Sequence, residues 1–85
     1  MDNTQRVEFY LPKKVAKEIV ELPGAKKLDR QQGDLPERWV YSSVYYRFWL
    51  GSDLCRVEGN MKSVERALAL VGHSLAEFEY TEEHL

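Results

Sequence analysis

Over residues 6–11 apolar and polar positions alternate: Val7, Phe9 and Leu11 point one way, Arg6, Glu8 and Tyr10 the other. A period of two with β-forming residues predicts a half-buried strand. Pro12 follows, and proline suits the first helical position because its missing N–H has no partner there. Behind it Val15, Ala16, Ile19, Val20 and Leu22 recur at helical spacing, with Lys13, Lys14, Lys17, Glu18 and Glu21 mostly off that stripe. Pro23-Gly24 is a stop signal. Residues 25–37 show no sustained period and read as a loop.

Residues 38–50 are dense in aromatic and β-branched side chains and predict one long strand, with Ser42-Ser43 as a bulge or bend. Val40, Val44, Tyr46, Phe48 and Leu50 share one parity; Trp39, Tyr41, Tyr45, Arg47 and Trp49 share the other. Gly51-Ser52 suits a type II′ hairpin turn into a returning strand over 54–58. A two-residue loop sets Phe48 opposite Cys55, but also Arg47 opposite Arg56. A four-residue loop sets Arg47 opposite Glu58, which is electrostatically better.

Asn60 is a good N-cap for a second helix with the stripe Met61, Val64, Ala67, Leu68 and Val71, and Gly72 suits its end. Alternation returns over 74–81 and predicts a last strand, while 1–5 and 82–85 read as frayed ends.

The order β-α-β-β-α-β makes residues 1–85 a single α+β domain. With right-handed crossovers it predicts a ferredoxin-like two-layer sandwich. That fold has a four-stranded antiparallel sheet in the order 4-1-3-2 with two helices on one face. Val7, Phe9, Leu11, Val44, Tyr46, Phe48, Cys55, Val57 and Phe78 are then the sheet's share of the core.

The uncovered face would carry Tyr10, Trp39, Tyr41, Tyr45, Arg47, Trp49 and Arg56. Tyr, Trp and Arg are the residues most enriched in binding hot spots, and a contiguous patch of them suits a partner. The second strand would also be an open edge able to pair. Aromatic residues favour strands for packing reasons alone, so a purely structural role stands beside this reading.

The expected function is a non-enzymatic interaction or regulatory module that binds itself, as a homodimer, or another protein. The alternative is a single-stranded nucleic-acid binder, since the topology is similar to that of the RNA-recognition motif. Against it, Leu54-Cys55-Arg56-Val57-Glu58 on the third strand lacks the stacking aromatics, and Glu8, Glu58, Glu77 and Glu79 would repel phosphate.

Composition changes this picture little. Hydrophobic residues at 44% keep the 85-residue chain out of the disordered class, and a net charge of −2 argues against general nucleic-acid binding. No apolar run approaches the ~20 residues of a membrane span, and the start of the chain lacks a signal peptide's apolar stretch, so a cytoplasmic protein is expected. The single cysteine, Cys55, excludes an internal disulfide and falls on the core parity of its strand.

His73 follows a helix end and His84 lies in the tail, without zinc-site spacing, so no metal, cofactor or catalytic residue is expected. Glu77/Glu79 and Glu82/Glu83 read as solubilising charges. Lys13, Lys14 and Lys17 read as a solvated helix face, since no glycine loop accompanies them to cradle an anion.

Overall fold

Alternation and the position of Pro12 organise the first unit of the chain. A computed structural model describes residues 5–84: β1 (Gln5–Pro12) runs into α1 (Lys13–Val20), with Pro12 closing the strand and flanking the helix. An antiparallel meander follows: β2 (Lys26–Asp29), β3 (Glu37–Tyr41), β4 (Val44–Phe48) and β5 (Leu54–Asn60). Then come α2 (Met61–Leu70), a 3-10 turn over Leu75–Glu77, and β6 (Thr81–His84).

The four-stranded sheet in the order 4-1-3-2 is overturned. Strands β1 to β5 lie in the order 1-5-4-3-2, and short β6 adds outside β1. The segment read as one strand over 38–50 is two strands, because Ser42 (φ 51°) and Ser43 (φ 66°) both enter the left-handed region and reverse the chain. Positive φ at both central residues is the requirement of a type I′ hairpin. β2 forms inside the segment read as a loop and pairs with β3. Its register shifts between Lys27 and Asp29, and its side chains are all exposed. Lysines and a bulge on such an edge discourage further pairing.

The C-terminal alternation misleads as well. Ser74-Leu75-Ala76-Glu77 is a capping box: the Ser74 side chain accepts from the Glu77 backbone N–H, while the Glu77 carboxylate accepts from the Ser74 N–H at 2.7 Å. This local pair wins over the strand pattern and sends Leu75 into the core. Where a frayed tail is expected, β6 pairs with β1 from Gln5↔His84 to Glu8↔Thr81. The remaining end positions, 1–4 and 85, lie outside the described residues.

One sheet face is covered by both helices. Val15, Ala16, Ile19 and Val20 of α1 and Val64, Ala67 and Leu68 of α2 close over Val7, Phe9, Leu11, Val44, Tyr46, Phe48, Cys55 and Val57. Asn60 caps α2 by accepting from the Lys62 and Ser63 amides. Gly72 ends it in a Schellman motif, with Gly72 and His73 N–H donating to Ala69 and Leu68.

Directly opposed residues share a face in an antiparallel ladder. Core rows therefore read across strands: Phe9, Val57, Tyr46 and Trp39 make one row, Leu11, Cys55, Phe48 and Glu37 the next. The β4–β5 register follows these apolar pairs, so Arg47 does face Arg56.

Two changes test the hairpin and its support. Ser42→Asn with Ser43→Gly supplies residues that accept positive φ and should raise unfolding free energy by about 1 kcal/mol. Gly59→Ala should lower it by about 1–3 kcal/mol, since a Cβ there would lie 3.1 Å from the Val44 backbone. Urea unfolding followed by far-UV circular dichroism reads both.

Candidate functional site

The two-residue turn decides which side each aromatic occupies. Trp39 faces Tyr46 and Tyr41 faces Val44, so both lie on the helix-covered side, partly buried against the core. Val40, expected inside, faces Tyr45 on the open side, and Leu50 is 81% exposed in the loop after β4. Trp49, also in that loop, lines a cleft beside Trp39 and α1. Of the seven residues expected together, Tyr10, Tyr45, Arg47 and Arg56 share the open face; Trp39, Tyr41 and Trp49 do not join them. The expected open edge is also absent, because β3 and β4 are interior strands flanked by β2 and β5.

Across the open face one row runs Tyr10, Arg56, Arg47, Arg38, in direct register over β1, β5, β4 and β3. The next row runs Glu8, Glu58, Tyr45, Val40. The one-strand reading leaves Arg38 off the open face because its parity places it with the core; only the turn brings it into line.

Like charges directly opposed in a sheet destabilise it, and here three arginines follow one another. Acids beside them offset the repulsion unevenly. Arg56 donates to Glu8 at 2.7 Å and Arg38 donates to Asp29 at 2.7 Å. The middle residue, Arg47, lies 3.5 Å from Glu58, which Arg6 also contacts at 3.4 Å. A hydrogen bond with Tyr10, then the nearby Glu8, raises the Arg56 pKa above its ordinary value. Arg56 Nε is buried and makes no hydrogen bond among the described residues.

Beside this row a groove of about 1070 Å³ separates β1 from the segment before β6. Tyr10, Leu54 and Tyr80 on its walls are 52%, 45% and 37% exposed, and Phe78 packs behind at 6.2 Å from the Phe9 ring. Glu77 and Glu79 stand at its outer rim.

Cys55 is fully buried, and burial pushes its thiol up to about 12. Burial likewise raises the Tyr46 hydroxyl. His73 Nδ1 lies 2.8 Å from Glu77 Oε1, and this contact holds the Glu77 carboxyl below its ordinary value. Among the described residues no three His, Cys, Asp or Glu side chains group as metal ligands, and no helix is long and apolar enough to cross a membrane.

No protein-family model, curated protein or solved structure matches the chain.

The Cys55 environment yields a direct check. In native buffer a disulfide reagent should modify the thiol at least ~100-fold more slowly than in urea, at a rate set by opening of the fold. Equal rates would place Cys55 at the surface.

Glu37 provides a pH test. Its pKa is lowered chiefly by the hydrogen bond from Trp39 Nε1 and then by Lys27. A depressed carboxylate stabilises the fold above its unfolded pKa and loses that contribution as pH falls through the folded one. Glu37→Gln should therefore be less stable than the parent at neutral pH, and the gap should close in acid.

Proposed function

We propose that this chain is a non-enzymatic protein-interaction module whose open sheet face receives an acidic segment of a partner protein. The observation that carries the reading is the register of Arg38, Arg47 and Arg56. Polar neutral residues would satisfy an exposed sheet face without repulsion. A local conflict of this kind is where functional demand is expected to override stability. Partner carboxylates over Arg47 would complete the pairing that Glu58 divides between two arginines. Tyr10 and Tyr45 flank the row with exposed rings, and tyrosine beside arginine is a common hot-spot composition. The chain itself carries acids at the groove rim, so a second copy is among the partners of suitable charge.

The same row supports a second reading, a single-stranded nucleic acid with bases stacked on Tyr10 and Tyr45 and phosphates on the arginines. Glu8 and Glu58 within the patch and the net charge of −2 weigh against it.

Titration with a synthetic Glu/Leu peptide, followed by amide chemical shifts, tests the proposal, with oligothymidine as the competing arm. Shifts should cluster on β1, β4 and β5, and Arg47→Glu should weaken peptide binding about tenfold or more. Arg47→Thr should weaken it too without lowering the melting temperature, because it removes a like-charge contact. Preferential, salt-sensitive binding of oligothymidine would favour the second reading. Sedimentation across a dilution series shows whether the chain fills its own face.

A further inference from the structure

Both tryptophans of the chain line one cleft, on the side of the sheet away from the arginine row. Its walls are α1 on one side and β3, β4 and the following loop on the other. Its volume, about 370 Å³, falls in the range of small-ligand sites. Val20 and Phe48, both buried, form the floor, and the half-buried rings of Trp39 and Trp49 flank it.

The charged groups around this slot are not equivalent. Glu37 is already engaged, accepting from Trp39 Nε1 at 2.9 Å and pairing with Lys27 at 3.2 Å. Lys27 also lies 5.5 Å from the centre of the Trp39 ring. Glu21 lies just past the C-terminal end of α1. Lys13 and Lys17 are one helical turn apart on the same face of α1, and neither has an ion-pair partner among the described residues. Lys13 opens α1, whose first turn has no acidic residue, so the positive end of the helix dipole adds to its charge, while Lys17 lies in the last turn. With Glu37 paired to Lys27, the ammonium groups of Lys13 and Lys17 outnumber the one remaining carboxylate of the slot, Glu21, and call for a ligand with an apolar body and one negative charge.

We propose that this cleft binds a small apolar monocarboxylate. The hydrocarbon or aryl body lies between the Trp39 and Trp49 rings over Val20 and Phe48, and the carboxylate meets Lys13 and Lys17. Side chains, not helix amides, hold the anion: Pro12 has no N–H, and the Lys13 N–H is donated to the Asp53 carbonyl at 2.8 Å. An apolar cation is disfavoured, since the two lysines outweigh Glu21 and Lys27 already neutralises Glu37. The site shares no residue with the open face, so the two readings stand or fall separately.

The chain has no tryptophan outside the cleft, so its fluorescence reports on this site alone. Decanoate below its micellar concentration is titrated into the full chain, with decanol as the uncharged control. Expected are a saturable emission change at one ligand per chain and binding of decanol roughly tenfold weaker or less. Lys13→Glu with Lys17→Glu should weaken decanoate binding by about the same factor while leaving the far-UV circular dichroism unchanged. If that double variant fails to fold, Lys17→Gln alone, at an exposed position, should produce a smaller loss of the same sign.

The proposal is overturned by an unsaturable or absent emission change. Equal affinity for decanol, indifference to the lysine substitutions, or tighter binding of dodecylamine than of decanoate would overturn it as well. A failure of acidic peptide to bind the open face would leave these outcomes unaffected.

Discussion

The tight turn at Ser42–Ser43 holds Trp39 opposite Tyr46 and Tyr41 opposite Val44, and the composition of both sheet faces follows from that pairing. Two serines in the left-handed region are a strained choice where asparagine and glycine would sit easily. The strain is offset by what the turn brings together. Tyr46, the largest fully buried side chain, is packed between Val57 and Trp39 in a row that continues to Phe9. Gly59 supports the same place from β5, where the Val44 backbone comes too close for a Cβ.

The β4–β5 register shows which effect prevails when core packing and surface charge disagree. Setting Arg47 against Glu58 would improve the surface electrostatics by a few tenths of a kcal/mol up to about 1 kcal/mol. Both registers leave Phe48 and Tyr46 on the core side, so burial alone does not separate them; the observed one keeps the cross-strand pairs Phe48–Cys55 and Tyr46–Val57, at about 0.2–1 kcal/mol each, and the close seat of Gly59 on Val44. Core packing wins, and the open face carries its arginines in line. Glu8, Glu58 and Asp29 relieve it only in part. The register fixes which positions align on the open face, but not that three of them are arginines.

Much of the fold was legible locally. The stripes of α1 and α2, the Asn60 cap, the Gly72 stop and the alternation of β1 and β5 appear where spacing puts them. The site was legible in part. Tyr10, Tyr45, Arg47 and Arg56 do share a face, because each lies on a strand whose own alternation is sound. Alternation alone puts Trp39 and Tyr41 on the wrong side, because parity does not carry through the two serines. A turn of type I′ without glycine or asparagine carries little compositional signal. Ser74-Leu75-Ala76-Glu77 did carry one, the capping box, but the alternating pattern around it pointed elsewhere.

Periodicity, caps and burial preference act over a few neighbouring residues, so the chain alone dictates which segments become helices and strands and which side of each is apolar. How those strands are joined, and so whether Trp39 meets Tyr45 or the core, depends on φ at two serines and on partners distant in the chain. No spacing rule records that. The pairing of β2 onto β3, the arginine row and the tryptophan cleft all arise at that level, from contacts that exist only once the meander has closed.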